Sequence, residues 1–140
     1  HIIGPEGERK VDLADFYQLD GMTKNILQKG EFLLKVTLPD DVSDWTGNYS
    51  KLRVRESWDF PEAGVAAAWK KDDKGSLRVA TTALESIPRL HNEEVEASKG
   101  DIQDLANLIF NAVKPVNNTS LPPRYRRNMI KVLVKRSYGE

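Results

Sequence analysis

The sequence predicts an α+β fold in which an antiparallel sheet of three to four strands is followed by about three helices. Two observations predict it. Short segments with the apolar pattern of strands lie before Pro88, and apolar residues recur at helical spacing after it. The chain has 140 residues, of which 39% are hydrophobic, and this is enough for one compact domain with an N-terminal appendage.

The first elements are short and interrupted by glycine and proline. We expect a hairpin in residues 1–11, a helical turn in 13–17, a loop between Gly21 and Gly30, a strand in 32–38 and an acidic loop in 40–44. Pro39 ends the strand because proline cannot donate to a strand ladder. Because a domain seldom begins inside a hairpin, we expect the chain to be a piece of a longer protein.

Two apolar segments in the middle of the chain predict a second hairpin. Residues 63–69 and 77–84 have strand patterns, and the polar connector 70–75 between them ends in Gly75.

The remainder of the chain has helical periodicity. Asn92 is the expected N-cap of a first helix that stops at Gly100, and Asp101 is the expected N-cap of a second helix that ends before Pro115. A third helix begins near residues 122–123. Its predicted apolar face is Tyr125, Met129, Val132 and Leu133, and its basic residues Arg126, Arg127, Lys131, Lys135 and Arg136 lie largely elsewhere.

Composition excludes several kinds of chemistry. The chain has no cysteine, so it forms no disulfide, thiolate zinc site or iron-sulfur cluster of its own. It has 21 basic and 21 acidic residues, so any charged partner must recognise a local patch. Histidine occurs only at positions 1 and 91, without other ligands at metal-binding spacing, so we expect no metal site. No apolar window reaches the roughly 20 residues that span a bilayer, and no secretory signal is recognisable, so the expected location is cytoplasmic.

The run at residues 49–61 combines charges, which are costly to bury, with aromatic rings, which are costly to expose. We therefore expect it to lie between a core and a polar partner. Arg53, Arg55, Glu56 and Asp59 are predicted to form a structural ion-pair network, and Trp58 and Phe60 to be core or interface aromatics.

Four segments, taken in order, resemble one family. They are GEFLLKVTLP at 30–39, KLRVRESWDF at 51–60, ATTALESIP at 80–88 and YRRNMIKVLVKR at 125–136. The chain resembles the FAD-binding (medium) subunit of the molybdenum hydroxylases, a family that includes xanthine dehydrogenase and carbon monoxide dehydrogenase. The resemblance implies that residues 1–39 are the tail end of the FAD-binding domain. Residues 40–140 are then the C-terminal α+β domain, like that of the carbon monoxide dehydrogenase flavoprotein.

The resemblance also implies a cofactor and partners. The subunit covers an FAD that receives electrons from iron-sulfur clusters and passes them to an acceptor. Leu33 matches a position that packs against the flavin, and Lys51 matches a lysine that reaches it. Molybdopterin and the iron-sulfur clusters belong to partner subunits only, a molybdenum large subunit and an iron-sulfur small subunit. The Gly-rich segments that hold the FAD pyrophosphate in the family lie further upstream, so we expect this chain alone neither to retain FAD nor to be active.

Other interpretations remain open at this stage. Leu33 can be a core strand residue and Lys51 a solvated lysine. The chain can be a docking or interaction domain without chemistry of its own. The basic C-terminal helix can bind nucleic acid, although no nucleic-acid motif accompanies it and we expect neither a nucleic-acid nor a membrane partner. A hydrolase would need His91, and no nucleophile signature such as Gly-x-Ser-x-Gly is present.

Overall fold

The structure, a computed structural model, describes residues 1–56 and 58–139, apart from the side chain of Lys74. The chain divides into two units, His1–Val42 and Ser43–Glu140. The predicted boundary between domains lay at residues 39 and 40, and the assignment of the first part to an FAD-binding domain stays a prediction.

The first unit is a small antiparallel sheet. Its strands are β1 (Ile2–Gly4), β2 (Gly7–Arg9) and β3 (Phe32–Leu33), in the order β2-β1-β3, and α1 (Leu13–Phe16) is a single helical turn. The side chain of Arg9 donates two hydrogen bonds of 2.9 Å to the carboxylate of Glu31. These bonds lower the pKa of Glu31 to about 2 and tie β2 to the segment before β3.

The N-terminal hairpin and helical turn are confirmed, but two other predictions for this unit are wrong. The strand expected in 32–38 is limited to Phe32–Leu33. The reason is that β3 runs past the end of its partner: the N–H of Leu34 donates to the carbonyl of His1, the residue before β1. The acidic loop is a short 3-10 helix, Asp40–Asp44, in which the N–H of Val42 donates to the carbonyl of Pro39.

The second unit has a four-stranded antiparallel sheet with three helices on one face. Its elements are β4 (Trp45–Leu52), β5 (Ala63–Lys70), β6 (Asp73–Thr82), β7 (Arg89–Leu90), α2 (Asn92–Ser98), α3 (Ile102–Ala112) and α4 (Pro123–Tyr138). The strand order is β4-β5-β6-β7, so each strand pairs with its neighbour in sequence. The α+β fold class is therefore confirmed.

The core lies between this sheet and α3 and α4. Alternate residues of β5 and β6 point into it, and it contains Ala63, Val65, Ala67, Val79, Leu105, Ile109, Ile130 and Leu133 among others. This packing explains Ala63 and Ala67 of β5, which face the helices: α4 contacts β5 and β4 directly, and small side chains let a helix approach a strand closely.

Two strand boundaries differ from the prediction. β4 was not predicted, because its sequence WTGNYSKL is mostly polar; it is an edge strand with only one face on the core, so a polar sequence suffices. β6 begins at Asp73 instead of 77, which reduces the connector to Lys71 and Asp72. The hydroxyl of Ser76 accepts from the N–H of Lys70 at 2.6 Å and donates to the carbonyl of Asp73, and these bonds hold the irregular end of the hairpin.

The helices occupy the predicted places, but not all of their details were predicted correctly. Asp101 caps α3, with its carboxylate accepting from the N–H of Asp104 at 2.8 Å, as expected. The N-cap of α2 is His91 instead of Asn92, because the carbonyl of His91 already accepts from the N–H of Val95. The predicted buried face of α4 is correct at Leu133 and wrong at Tyr125 and Val132, which are exposed. The buried residues are Arg126, Ile130, Leu133, Val134 and Ser137.

Candidate functional site

The face of the four-stranded sheet opposite the helices is built from small residues. Strand alternation places Gly64, Ala66 and Ala68 of β5 on this face, next to Ala80 of β6. A Cβ atom at Gly64 would collide with the hydroxyls of Tyr49 and Thr82, which lie 3.4 Å apart. Glycine is therefore required where these two side chains meet.

Lys51 lies on this same face, on the edge strand β4 directly opposite Gly64. Its side chain is exposed, and its ammonium group donates to the backbone carbonyl of Asp59 at 3.0 Å. Lys51 lies near the end of β4, one residue before Leu52. Its cation is thus presented at the corner where the chain leaves the sheet.

The loop between β4 and β5 is held by Asp59. The carboxylate of Asp59 accepts hydrogen bonds of 2.9 Å from the side chain of Arg55, the N–H of Arg55 and the N–H of Phe60. The Arg55 guanidinium and these backbone bonds keep the pKa of Asp59 far below its usual range. Of the predicted ion-pair network, the structure therefore brings Arg55 and Asp59 together.

The aromatic side chains of this loop are exposed. Trp58 is 92% exposed and Phe60 85% exposed, so the prediction that they belong to the core is wrong. The loop leaves the sheet at Leu52 and returns where the N–H of Glu62 donates to the carbonyl of Leu52, and its tip therefore projects beyond the layer of the core. The alternative prediction, that they are interface aromatics, stays a prediction.

Leu33 lies in the first unit, at the end of β3. It is 50% exposed, so it is not the buried core residue of the alternative interpretation. It lines a cavity of about 400 Å³ together with Phe16, Tyr17 and Thr37, among other residues of that unit. The rings of Phe16 and Tyr17 meet edge to face, with their centroids 5.2 Å apart. Leu33 and Lys51 belong to different units, and the side chain of each is exposed.

Three solved structures are similar to this chain over nearly its whole length. Carbon monoxide dehydrogenase from Hydrogenophaga pseudoflava, in a form that lacks the Mo-pyranopterin moiety of its cofactor, matches 98% of this chain with a TM-score of 0.81 and 22% identity. Reconstituted CO dehydrogenase from Oligotropha carboxidovorans matches 98% with a TM-score of 0.81 and 23% identity. Quinoline 2-oxidoreductase from Pseudomonas putida 86 matches 97% with a TM-score of 0.78 and 19% identity.

The chain has the fold of carbon monoxide dehydrogenase in the region that it matches. That enzyme is one of the two that the four sequence segments indicated, and the predicted resemblance is confirmed at the level of fold. The chain spans about half the length of the solved chains: 50% of each carbon monoxide dehydrogenase chain and 49% of the quinoline oxidoreductase chain. No protein-family model matches it.

Sequence reasoning missed a buried arginine that organises the second unit. Arg126 is fully buried and donates to the backbone carbonyls of Glu62 and Val116 at 2.7 Å each, and also to that of Ala83. Ala83 has a left-handed backbone, with φ of 62°, where its carbonyl accepts this bond. The signal was present in the sequence, because Arg126, Ile130, Leu133 and Ser137 follow helical spacing on one face.

Sequence reasoning also missed a row of three polar side chains, a hydroxyl, an imidazole and a carboxylate. Their order is that of a hydrolase triad, but the hydroxyl and the imidazole are buried. The ring of His91 lies 2.9 Å from the hydroxyl of Thr81 through Nε2 and 3.4 Å from the carboxylate of Glu94 through Nδ1. Thr81 is 2% exposed and His91 is fully buried, so no substrate reaches this hydroxyl. The arrangement joins β6 to α2, and the structure gives no support to a hydrolase.

Two further kinds of site are not found in the described part of the chain. No group of three or more histidine, aspartate or glutamate residues there is placed to hold a metal ion. None of the described helices is long and apolar enough to cross a membrane.

Proposed function

We propose that the chain is part of the FAD subunit of a molybdenum hydroxylase-type oxidoreductase and helps to cover the flavin. The observation that carries this proposal is the likeness of fold to carbon monoxide dehydrogenase over 98% of the chain, at a TM-score of 0.81. The order of the four sequence segments supports it independently of the coordinates.

The residues assigned to the flavin fit such a group. FAD, when bound, accepts electrons and gains negative charge on its ring system. Leu33 offers an apolar side chain at the edge of a cavity, where it can pack against a flat ring. Lys51 offers an ammonium group above a sheet face of small side chains. A nearby cation stabilises negative charge, so Lys51 is expected to raise the reduction potential of the bound cofactor.

The proposal includes partners that supply and remove electrons. Molybdopterin belongs to a large subunit and iron-sulfur clusters to a small subunit, and the assembly is cytoplasmic. The upstream region of the same subunit holds the FAD pyrophosphate. The isolated chain is then inactive, because the electron donor, the acceptor and the pyrophosphate site lie outside it.

A purely structural role is the second candidate, and the exposed aromatics favour it. Trp58 and Phe60 are exposed next to the hydrogen-bonded pair Arg55–Asp59, and exposed aromatic side chains of this kind are common in docking surfaces. In this case the chain covers the flavin or binds a partner subunit, and Lys51 has no influence on the cofactor.

The test separates the two candidates with a matched pair of lysines in the longer subunit that includes the upstream region. Lys51 and Lys71 are both exposed and each donates to one backbone carbonyl, of Asp59 and of Ser43 respectively. We expect Lys51→Ala to lower the reduction potential of the bound flavin by on the order of 20 mV and to weaken flavin retention, while Lys71→Ala changes neither. Spectroelectrochemical titration and the visible absorption of the purified proteins provide the measurements.

Two results would contradict the proposal at different levels. If the longer subunit is purified folded but without FAD, and does not bind added FAD, the proposed function is wrong. If it carries FAD and Lys51→Ala changes neither the potential nor the flavin content, only the role of Lys51 is wrong and the structural role is supported.

A further inference from the structure

The groove between α3 and α4 is lined by basic side chains. A cavity of about 580 Å³ lies where α3 ends and α4 begins, and a second of about 400 Å³ lies further along α4. The cations that line the two cavities are Lys114, Arg124, Arg127, Lys131, Lys135 and Arg136. This basic groove belongs entirely to the second unit.

The cations of α4 form a continuous row. Arg124, Arg127, Lys131 and Lys135 are spaced at i, i+3, i+7 and i+11, which places them on one face of the helix over about 16 Å. The sequence of α4 contains no acidic residue. Within residues 1–56 and 58–139, no carboxylate forms an ion pair with any of the six groove cations. In a chain of zero net charge, this concentration of one sign is a local property of the groove.

The groove also has an apolar floor. Phe110, Pro115 and Pro123 line the larger cavity and are partly exposed, and the exposed Val132 lines the smaller one. A surface that alternates cations with apolar side chains is complementary to a segment that alternates acidic and apolar side chains.

Two of the cations hold the groove in shape before any partner binds. The guanidinium of Arg127 donates to the carbonyls of Phe110 and Asn111, at 2.7 and 3.0 Å, at the C-terminal end of α3. Arg127 and Lys131 also lie 4.6 and 4.2 Å from the ring centre of Phe110. Because these side chains are already ordered, a partner loses less conformational entropy in binding to them.

We propose that the basic groove binds an acidic segment with apolar side chains that belongs to a partner protein. Charge complementarity demands an acidic partner, and the apolar floor distinguishes a protein segment from nucleic acid. A phosphate backbone would satisfy the cations but would leave the partly exposed Phe110, Pro115 and Pro123 without apolar contacts from the partner. This proposal does not depend on flavin binding.

The test uses the intact chain and two synthetic peptides of 16 residues. The first combines glutamate with leucine at helical spacing, and the second has serine in place of every leucine. We expect the Glu/Leu peptide to bind and to shift the backbone amide signals of residues 107–114 and 124–136 in a nitrogen-15 NMR spectrum. The Glu/Ser peptide is expected to bind at least about threefold more weakly, since apolar burial adds to the charge attraction.

Charge reversal locates the binding. Arg124→Glu combined with Lys135→Glu changes one cation in each cavity, and we expect the affinity for the Glu/Leu peptide to fall by about tenfold or more. The matched control is Lys24→Glu combined with Lys29→Glu, which makes the same change in net charge at two exposed loop residues of the first unit. The control should alter the affinity by less than about twofold, because neither lysine lines the groove and exposed charges are screened by salt. Circular dichroism checks that both double variants are folded.

Three outcomes would overturn the proposal. If both double variants weaken binding of the Glu/Leu peptide equally, the attraction is not specific to the groove. If the two peptides bind with equal affinity, the apolar floor makes no contribution to binding. Tighter binding of a single-stranded oligonucleotide of equal charge, with shifts at the same amides, assigns the groove to nucleic acid instead. None of these outcomes affects flavin binding by the longer subunit, which is measured separately.

Discussion

At the scale of single residues, Arg126 has the most consequential environment in the second unit. It comes from a helix, but its guanidinium satisfies carbonyls of three other segments, and Glu62 lies 3.8 Å away. A buried cation is costly unless it is fully hydrogen-bonded, and removal of one partner leaves the others unsatisfied. Arg126 therefore stabilises the arrangement of the segments and not only the helix that carries it.

Replacement of Arg126 should be strongly destabilising. We expect Arg126→Met to lower the free energy of unfolding by about 3 to 5 kcal/mol, because three carbonyls lose their donor and the carboxylate of Glu62 loses its ion-pair partner. The measurement is urea unfolding followed by tryptophan fluorescence, since all three tryptophans lie in the second unit. The control is Arg124→Met, two residues away and exposed, which should change the stability by less than about 0.5 kcal/mol. A small effect at Arg126 would show that the segments can rearrange without it.

His91 links stability to pH. Burial lowers the pKa of its ring, Glu94 opposes that effect, and of the other charges that face it Arg89 lowers the pKa and Glu85 raises it. The ring is therefore harder to protonate in the folded chain than in the unfolded chain, where its pKa is about 6.5. Well above the pKa of the unfolded chain, His91 is neutral in both states and the free energy of unfolding does not depend on its titration. As the pH falls below that pKa, the unfolded chain takes up a proton on His91 that the folded chain does not, and the folded state loses stability.

This linkage predicts a difference between the native chain and His91→Gln. Between pH 7.5 and pH 5.0 the native chain should lose more stability than the variant, because only the native chain has the buried ring. His1 is present in both proteins, so its titration cancels in the difference. Urea midpoints at the two pH values give the measurement. Parallel pH dependence of the two proteins would mean that His91 takes up its proton as easily when it is folded.

At the scale of elements, the sequence predicted helices better than strands, for a physical reason. Helix α3 carries its own signals, an aspartate cap and apolar residues at 3.6-residue spacing, so its existence and its start followed from local sequence. Strand β4 carries no such signal, since it is an edge strand whose partners lie elsewhere in the chain. The faces of α4 could not be assigned from polarity, because a charged arginine lies on the buried one.

The two helix starts give a matched test of capping. Asp101→Ala should lower the free energy of unfolding by about 1 kcal/mol, because its carboxylate accepts the otherwise unpaired N–H of Asp104. Asn92→Ala should cost less than about 0.5 kcal/mol, since Asn92 is the first residue of α2 and not its cap. Urea unfolding measures both. If Asn92→Ala lowered the free energy of unfolding more than Asp101→Ala, Asn92 would be the N-cap of α2 that the sequence predicted.

At the scale of the whole molecule, the two units differ in what holds them together. The hydrophobic core cluster lies entirely in the second unit, between Ala63 and Val134, whereas Ile2 is the one buried hydrophobic residue among the described residues of the first. The first unit relies on strand pairing and on the Arg9–Glu31 bonds. Pieces of about 40 residues rarely fold without such a core, a disulfide or a metal.

This difference predicts how the units behave when they are separated. Residues 43–140 expressed alone should unfold cooperatively in urea, as followed by tryptophan fluorescence, because they retain the complete core cluster. Residues 1–42 alone should show no cooperative transition by circular dichroism. An unfolded 43–140 fragment would indicate that its stability depends on the first unit.

The candidate site could be predicted only in part. The resemblance named Leu33 and Lys51, and the structure shows both to be accessible, but their contact with a flavin stays a prediction. The sequence analysis predicted an ion-pair network of Arg53, Arg55, Glu56 and Asp59, and the structure shows the pair Arg55–Asp59. The exposure of Trp58 and Phe60 did not follow, because the direction of a loop depends on where the strands at its two ends are paired, and that pairing involves residues far apart in sequence.

The contacts of Arg126 also have a consequence for the kinetics of folding. Its acceptors on Glu62 and Ala83 are 64 and 43 residues away along the chain, and they come together only after β5, the end of β6 and α4 have met. We expect bonds of this kind to form late in folding, to contribute little to the transition state and to affect mainly the rate of unfolding. Loss of Arg126 is therefore expected to leave the folding rate of the second unit nearly unchanged and to increase its unfolding rate.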